Sequence, residues 1–219
     1  MKKMKFTLLS ILVLSLLITA IPITQVQAAS QKKWEKAYLK EIGKLESSIA
    51  KQNESDTKYI ESQCISKLEY IDNDNIPELI ITIPVGSYGS SWILTYYNGK
   101  VKCQEFGPYI YYCDKKGIVV DQFFHSGAGS VNKYKLKNGK FVQKTNWDFA
   151  LIPELNKSGK DEVTITYYKN GKKSSKKQYE GKKAQKELKK IDNYNYSGDT
   201  DACKDFIALK DMKKKLAHK

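Results

Sequence analysis

The chain has 219 residues and a formal net charge of +14, with 38 lysines and no arginine. A sequence-specific nucleic-acid reader leans on the bidentate arginine fork, so this kind of basicity argues against DNA or RNA as partner. It fits attraction to anionic envelope polymers, and lysine alongside many Asn, Ile and Tyr also fits the codon usage of an AT-rich Gram-positive genome.

The chain opens with Lys2, Lys3 and Lys5, then runs apolar from Phe6 to Ile23 and reaches Gln25-Val26-Gln27-Ala28-Ala29-Ser30. A basic start, an apolar stretch and small residues at a cut point are what a signal peptidase needs. Residues 1–28 are therefore expected to be a removable export signal, and the protein to be secreted or held at the cell surface. About 190 residues remain, enough for one domain with its own core.

Residues 29–60 are expected to hold an N-terminal helix. Trp34, Tyr38, Ile42, Leu45 and Ile49 recur at spacings of four and three, with Lys and Glu between them. Residues 61–170 read as an antiparallel β-meander. Leu79-Ile80-Ile81-Thr82-Ile83 is apolar on both faces and predicts a central strand. Asn98-Gly99, Asn138-Gly139 and Asn170-Gly171 each separate apolar, tyrosine-rich runs, the pattern of tight hairpins. Residues 171–219 are expected to be helical and to pack on the sheet. Ser175 and Gln178 would form a capping box ahead of Tyr179, Ala184, Leu188 and Ile191. A last helix would start near Thr200 or Asp201 and carry Phe206, Leu209 and Leu216. The predicted class is α+β: a meander flanked by one N-terminal and two C-terminal helices.

Four cysteines lie beyond the apolar stretch. Outside the cytosol an even number permits disulfides. Cys103 and Cys113 are equidistant from Pro108 and would face each other if Phe106-Gly107-Pro108-Tyr109 were a hairpin turn. Cys64 with Cys203 would then close a long loop, worth about 4–5 kcal/mol in the chain-entropy picture. Four buried thiols are the alternative. The absence of a CxxC pair argues against zinc and thioredoxin-like chemistry.

The stretch with chemistry is Tyr70-Ile71-Asp72-Asn73-Asp74-Asn75-Ile76-Pro77-Glu78-Leu79. Asp72 and Asp74 at alternate positions, the carbonyl of Ile76 and the carboxylate of Glu78 make an oxygen set for a hard cation, with calcium as candidate cofactor. A complete loop would read D-x-[DN]-x-D-G-x-x-[DE]. Tyr70 stands at its first ligand position and Asn75 at its glycine, so binding would be weak. Without a cation, the same residues make an Asx-rich turn in which backbone N–H groups satisfy Asp72 and Asp74.

These residues resemble the Y-I-D-x-D-x-I-P-E-L signature of a loose family of secreted proteins and lipoproteins of Gram-positive anaerobes. The likeness extends to the Tyr/Gly-rich section from Ser87 to Lys100 and to Asn170-Gly171-Lys172 through Tyr179. The acidic loop is also similar to the calcium loops of FG-GAP repeats. The resemblance implies a secreted domain and no particular activity.

Catalytic chemistry has little foothold. His125, in Phe124-His125-Ser126-Gly127-Ala128-Gly129, is the one candidate base, and its surroundings lack the G-x-S-x-G of a nucleophile elbow. A glycine-rich hairpin beside a half-buried histidine is the expectation, and no catalytic residue is assigned. Tyr88, Trp92, Tyr96, Tyr97, Tyr109, Tyr111 and Tyr112 could stack on sugars if exposed, although strand alternation should bury half of them. The reading is a non-enzymatic secreted domain, or a binding module for anionic cell-wall polymer or glycan using aromatics and lysines.

Overall fold

The computed structural model describes residues 23–84, 89–150, 160–169, 172–190, 196, 198–200 and 203–218. Residues 1–22, most of the expected export signal, lie outside these. Helix α1 spans Ile23–Gln52. Its apolar stripe is the predicted one: Trp34, Tyr38, Ile42 and Ile49 are buried and Leu45 partly so. Each fully buried side chain of this kind contributes about 1.5–3 kcal/mol. A short helix, α2 (Thr57–Gln63), follows, with the Asp56 carboxylate accepting from the Tyr59 N–H at 2.7 Å as its N-cap.

The meander folds as two antiparallel sheets. The first holds β1 (Ile65–Glu69), β2 (Glu78–Thr82), β3 (Ser91–Tyr97) and β4 (Lys100–Phe106) in sequential order, with β12 (Ile207–Ala208) beside β1. The second runs β10 (Lys172–Glu180), β9 (Glu162–Lys169), β8 (Lys140–Ala150), β7 (Ala128–Lys137), β6 (Ile118–His125), β5 (Tyr109–Cys113) and β11 (Gly198–Asp199). Two further helices are α3 (Gly181–Leu188) and α4 (Leu209–Ala217). The fold class is α+β, as predicted.

Three apolar clusters stack the layers. Helices α1 and α4 cover one face of the first sheet, with Tyr38, Ile42, Met212 and Leu216 against Leu79, Ile81 and Leu94. The other face meets the second sheet through Ile80, Ile93, Phe106, Ile110, Tyr112, Val119 and Leu136. On the far side of the second sheet, Ala184 of α3 packs with Val120, Val131, Trp147, Val163 and Ile165. Strand β2 is buried at all five residues, as its two-sided apolar pattern requires.

Two of the three Asn-Gly hairpins are confirmed. Asn98 and Gly99 (φ 50° and 76°) and Asn138 and Gly139 (φ 54° and 63°) both have the paired positive φ of a type I′ turn. The third, Asn170-Gly171, lies outside the described residues, although the strands flanking it pair Lys169 with Lys172.

Other expectations are corrected. Phe106-Gly107-Pro108-Tyr109 is not a hairpin but the crossing from one sheet to the other. Asp121 of β6 draws it across by accepting the Gly107 N–H at 2.9 Å. Cys103 therefore pairs with Leu94 in the first sheet and Cys113 with Ile118 in the second, and no two of the four cysteines form a disulfide. Ser175 and Gln178 do not cap a helix. They lie in β10, which pairs with β9 from Lys172 to Glu180 with one irregularity between Lys173 and Ser175. Tyr179 belongs to that strand too, and Ile191 lies outside the described residues. The last helix begins at Leu209, not near Thr200. Left-handed backbone at Cys203 and Asp205 (φ 49° and 61°) interrupts any earlier start, and Ile207–Ala208 is held in extended pairing with β1. His125 is exposed at the β6–β7 hairpin, not half-buried. Among the described residues, no helix is long and apolar enough to cross a membrane.

Candidate metal centre at the acidic loop

The eight residues between β1 and β2 are set by the antiparallel pairing that ends at Glu69 opposite Glu78. Within them, the Asp72 Oδ1 accepts the Asp74 N–H at 3.0 Å and the Asp74 Oδ1 accepts the Ile76 N–H at 2.9 Å. These two Asx turns coil the chain so that the alternate carboxylates come close to each other and to Glu78. Asn75 takes φ 62°, which its short polar side chain tolerates and which the glycine position of a cation loop demands.

Glu78 opens β2 and is buried, 1% exposed. The Ile71 N–H donates to its Oε2 at 3.0 Å and the Thr95 hydroxyl to its Oε1 at 3.2 Å. Ligand oxygens of Asp72, Asp74 and Glu78 all lie within 4.8 Å of one another. Ile76, the fourth predicted ligand, enters the loop through the backbone N–H described above. Tyr70, at the incomplete first position, is 46% exposed and supplies no carboxylate.

The protonation of two of these carboxyls, Glu78 and Asp74, is shifted. Burial pushes the Glu78 carboxyl up to about 8, with Asp72 and Asp74 adding repulsion. Burial likewise raises Asp74 to about 6, with Asp72 next to it as a further cause. A divalent cation would reverse both pressures, since it favours the charged form of every ligand.

The loop is also a junction. Tyr38, fully buried on α1, donates its hydroxyl to the Pro77 carbonyl at 2.9 Å. Burial raises its pKa well above 10, followed by the charges of Glu78 and Asp74. On the other side, the Lys115 N–H donates to the Tyr70 carbonyl at 2.8 Å and the Gly117 N–H to the Ile71 carbonyl at 2.6 Å. These bonds pin the loop to the β5–β6 turn of the second sheet, while the buried Ile71 side chain enters the core between the sheets. The helix layer and both sheets therefore meet here. The sequence marks the acidic residues but not Tyr38 or Thr95, which read only as members of a helix stripe and a strand.

The aromatics singled out in the sequence are mostly packed. Trp92 and Tyr112 are buried, Tyr96, Tyr97, Tyr109 and Tyr111 are half-buried, and Tyr88 lies outside the described residues. The most exposed rings among the described residues are instead Tyr59, Tyr70, Phe123 and Phe124. Comparison with known proteins finds no family model, no curated protein and no solved structure that matches this chain.

Proposed function

We propose that this is a secreted or cell-surface, non-enzymatic domain in which a calcium ion at Asp72, Asp74 and Glu78, with the Ile76 carbonyl as a further ligand, braces the junction of helix layer and sheets. The observation that carries this reading is the convergence of three carboxylates within 4.8 Å on the loop that ties α1 to both sheets. Oxygen-only donors suit a hard cation, and calcium takes about six to eight of them. Three carboxylates leave positions for water, so the expected affinity is that of extracellular modules, about 10⁻⁴ to 10⁻³ M. The export signal read from residues 1–28 and the resemblance to secreted Gram-positive proteins support this reading, since calcium reaches such levels outside the cytosol.

Thermal unfolding in EDTA and in a calcium series tests the proposal. The midpoint should rise with calcium and saturate as a single site does. A midpoint unchanged from EDTA to about ten times that Kd range would reduce the loop to a turn.

A second reading, a binding module for anionic cell-wall polymer, is favoured by β10. Lys172, Lys173, Lys176 and Lys177 are exposed along this sheet edge, and none has a carboxylate partner among the described residues. Edge lysines also deter sheet-to-sheet aggregation, so the reading needs its own test. Co-sedimentation with purified cell wall should be strong at low salt and lost at high salt. No retention at low salt would end it.

A further inference from the structure

A second concave site lies away from the acidic loop. The end of α1, the α1–α2 corner, α2 itself and one end of the first sheet enclose a pocket of about 470 Å³. That is the size of pockets that hold small ligands. The sheet supplies Trp92, 6% exposed, with Ile83 and Glu105 beside it. Helix α2 supplies Tyr59, whose ring is 56% exposed.

The polar lining is neutral and rich in amides and hydroxyls. Gln52, Asn53 and Gln63 present side-chain amides, and Ser55 a hydroxyl. The Ser55 Oγ is fully buried with no hydrogen-bond partner. A buried hydroxyl without a partner costs about 1–3 kcal/mol, so such a group calls for an occupant. Electrostatics narrow the occupant further. In a chain of 38 lysines, no lysine lines this pocket, and Glu105 is its one charged side chain among the described residues. An anion would meet no positive group here.

We infer that this pocket binds a neutral saccharide unit. A pyranose has an apolar face that fits an aromatic ring and a rim of hydroxyls that pair with amides. The exposed Tyr59 ring would take the face, with the buried Trp92 at the pocket floor, and Gln52, Gln63 and Ser55 the rim. The site is separate from the cation reading and does not depend on it.

The test titrates the full chain, in EDTA, with methyl glucoside and with N-acetylglucosamine, following tryptophan fluorescence. A saturable change with a Kd in about the millimolar range is expected for a single sugar. Tyr59→Ala, at an exposed position, should leave the unfolding midpoint in place and weaken binding about tenfold, which converts to about 1.4 kcal/mol. Trp92→Phe should abolish the fluorescence response, and calorimetry with the same sugars gives a readout independent of the indole. Three results would overturn the assignment. They are no saturable signal with either sugar by fluorescence or calorimetry, binding unchanged in Tyr59→Ala, or tighter binding of glucose 6-sulfate than of the neutral sugars.

Discussion

Replacing Glu78 by Gln separates the cost of a buried charge from the benefit of a bound cation. The carboxyl is raised from 4.5 to about 8 in the folded protein. Because the folded value is the higher one, the native state holds the proton more tightly than the unfolded chain. Stability therefore falls as pH rises through the window from 4.5 to about 8. At pH 7 the gap between that pH and the unfolded value is about 2.5 pH units, or about 3 kcal/mol at 1.36 kcal/mol per unit. For a protein of this size that corresponds to about 6–12 °C in midpoint. Asp74, also raised, acts in the same direction lower in the pH range. Glutamine keeps the shape, can accept the Ile71 N–H, and never ionises.

In EDTA, Glu78→Gln should match the wild type near pH 5 and exceed its midpoint increasingly toward pH 8. Added calcium should restore the wild type at high pH, because the cation favours the ionised ligand, and should do little for the variant. Differential scanning fluorimetry across pH, with and without calcium, measures both effects. A difference between wild type and variant that stays constant with pH would refute the buried-charge argument. Equal calcium shifts in the two proteins would refute the role of Glu78 as a ligand.

Gly117→Ala should destabilise by about 2 kcal/mol or more in urea unfolding, since the residue sits at φ 59° and a Cβ would lie 2.6 Å from the Leu136 carbonyl oxygen. Lys213→Ala should cost about 2 kcal/mol in the same assay. The Lys213 ammonium reaches Glu46 at 3.1 Å and Glu61 at 2.8 Å, and its loss leaves the Glu46 carboxylate, 8% exposed, without its counter-charge. Reducing agent should leave the unfolding midpoint where it is, as no disulfide is present to break. Burial pushes the Cys64 thiol up to about 12, so alkylation at mildly alkaline pH should spare it until the protein unfolds, as peptide mapping would show.

The local elements were legible because their signals are local. The stripe from Trp34 to Ile49 is a property of helical period, and the positive φ of Asn98-Gly99 and Asn138-Gly139 is a property of the dipeptide. The same holds for the turn chemistry of Asp72, Asp74 and Asn75. Partnering decided the rest. Lys172–Glu180 reads as a polar segment and becomes a strand only because β9 offers it a ladder. The chain changes sheet at Gly107 because Asp121, fourteen residues on, accepts its N–H. Glu78 is an ordinary acidic residue in the sequence, and its raised pKa exists only once folding has buried it, with Asp72 and Asp74 held close by. The pocket at Trp92 likewise joins residues from two helices and a sheet that no short window contains. Backbone conformation follows from neighbours along the chain, whereas burial, pairing and charge follow from neighbours in space.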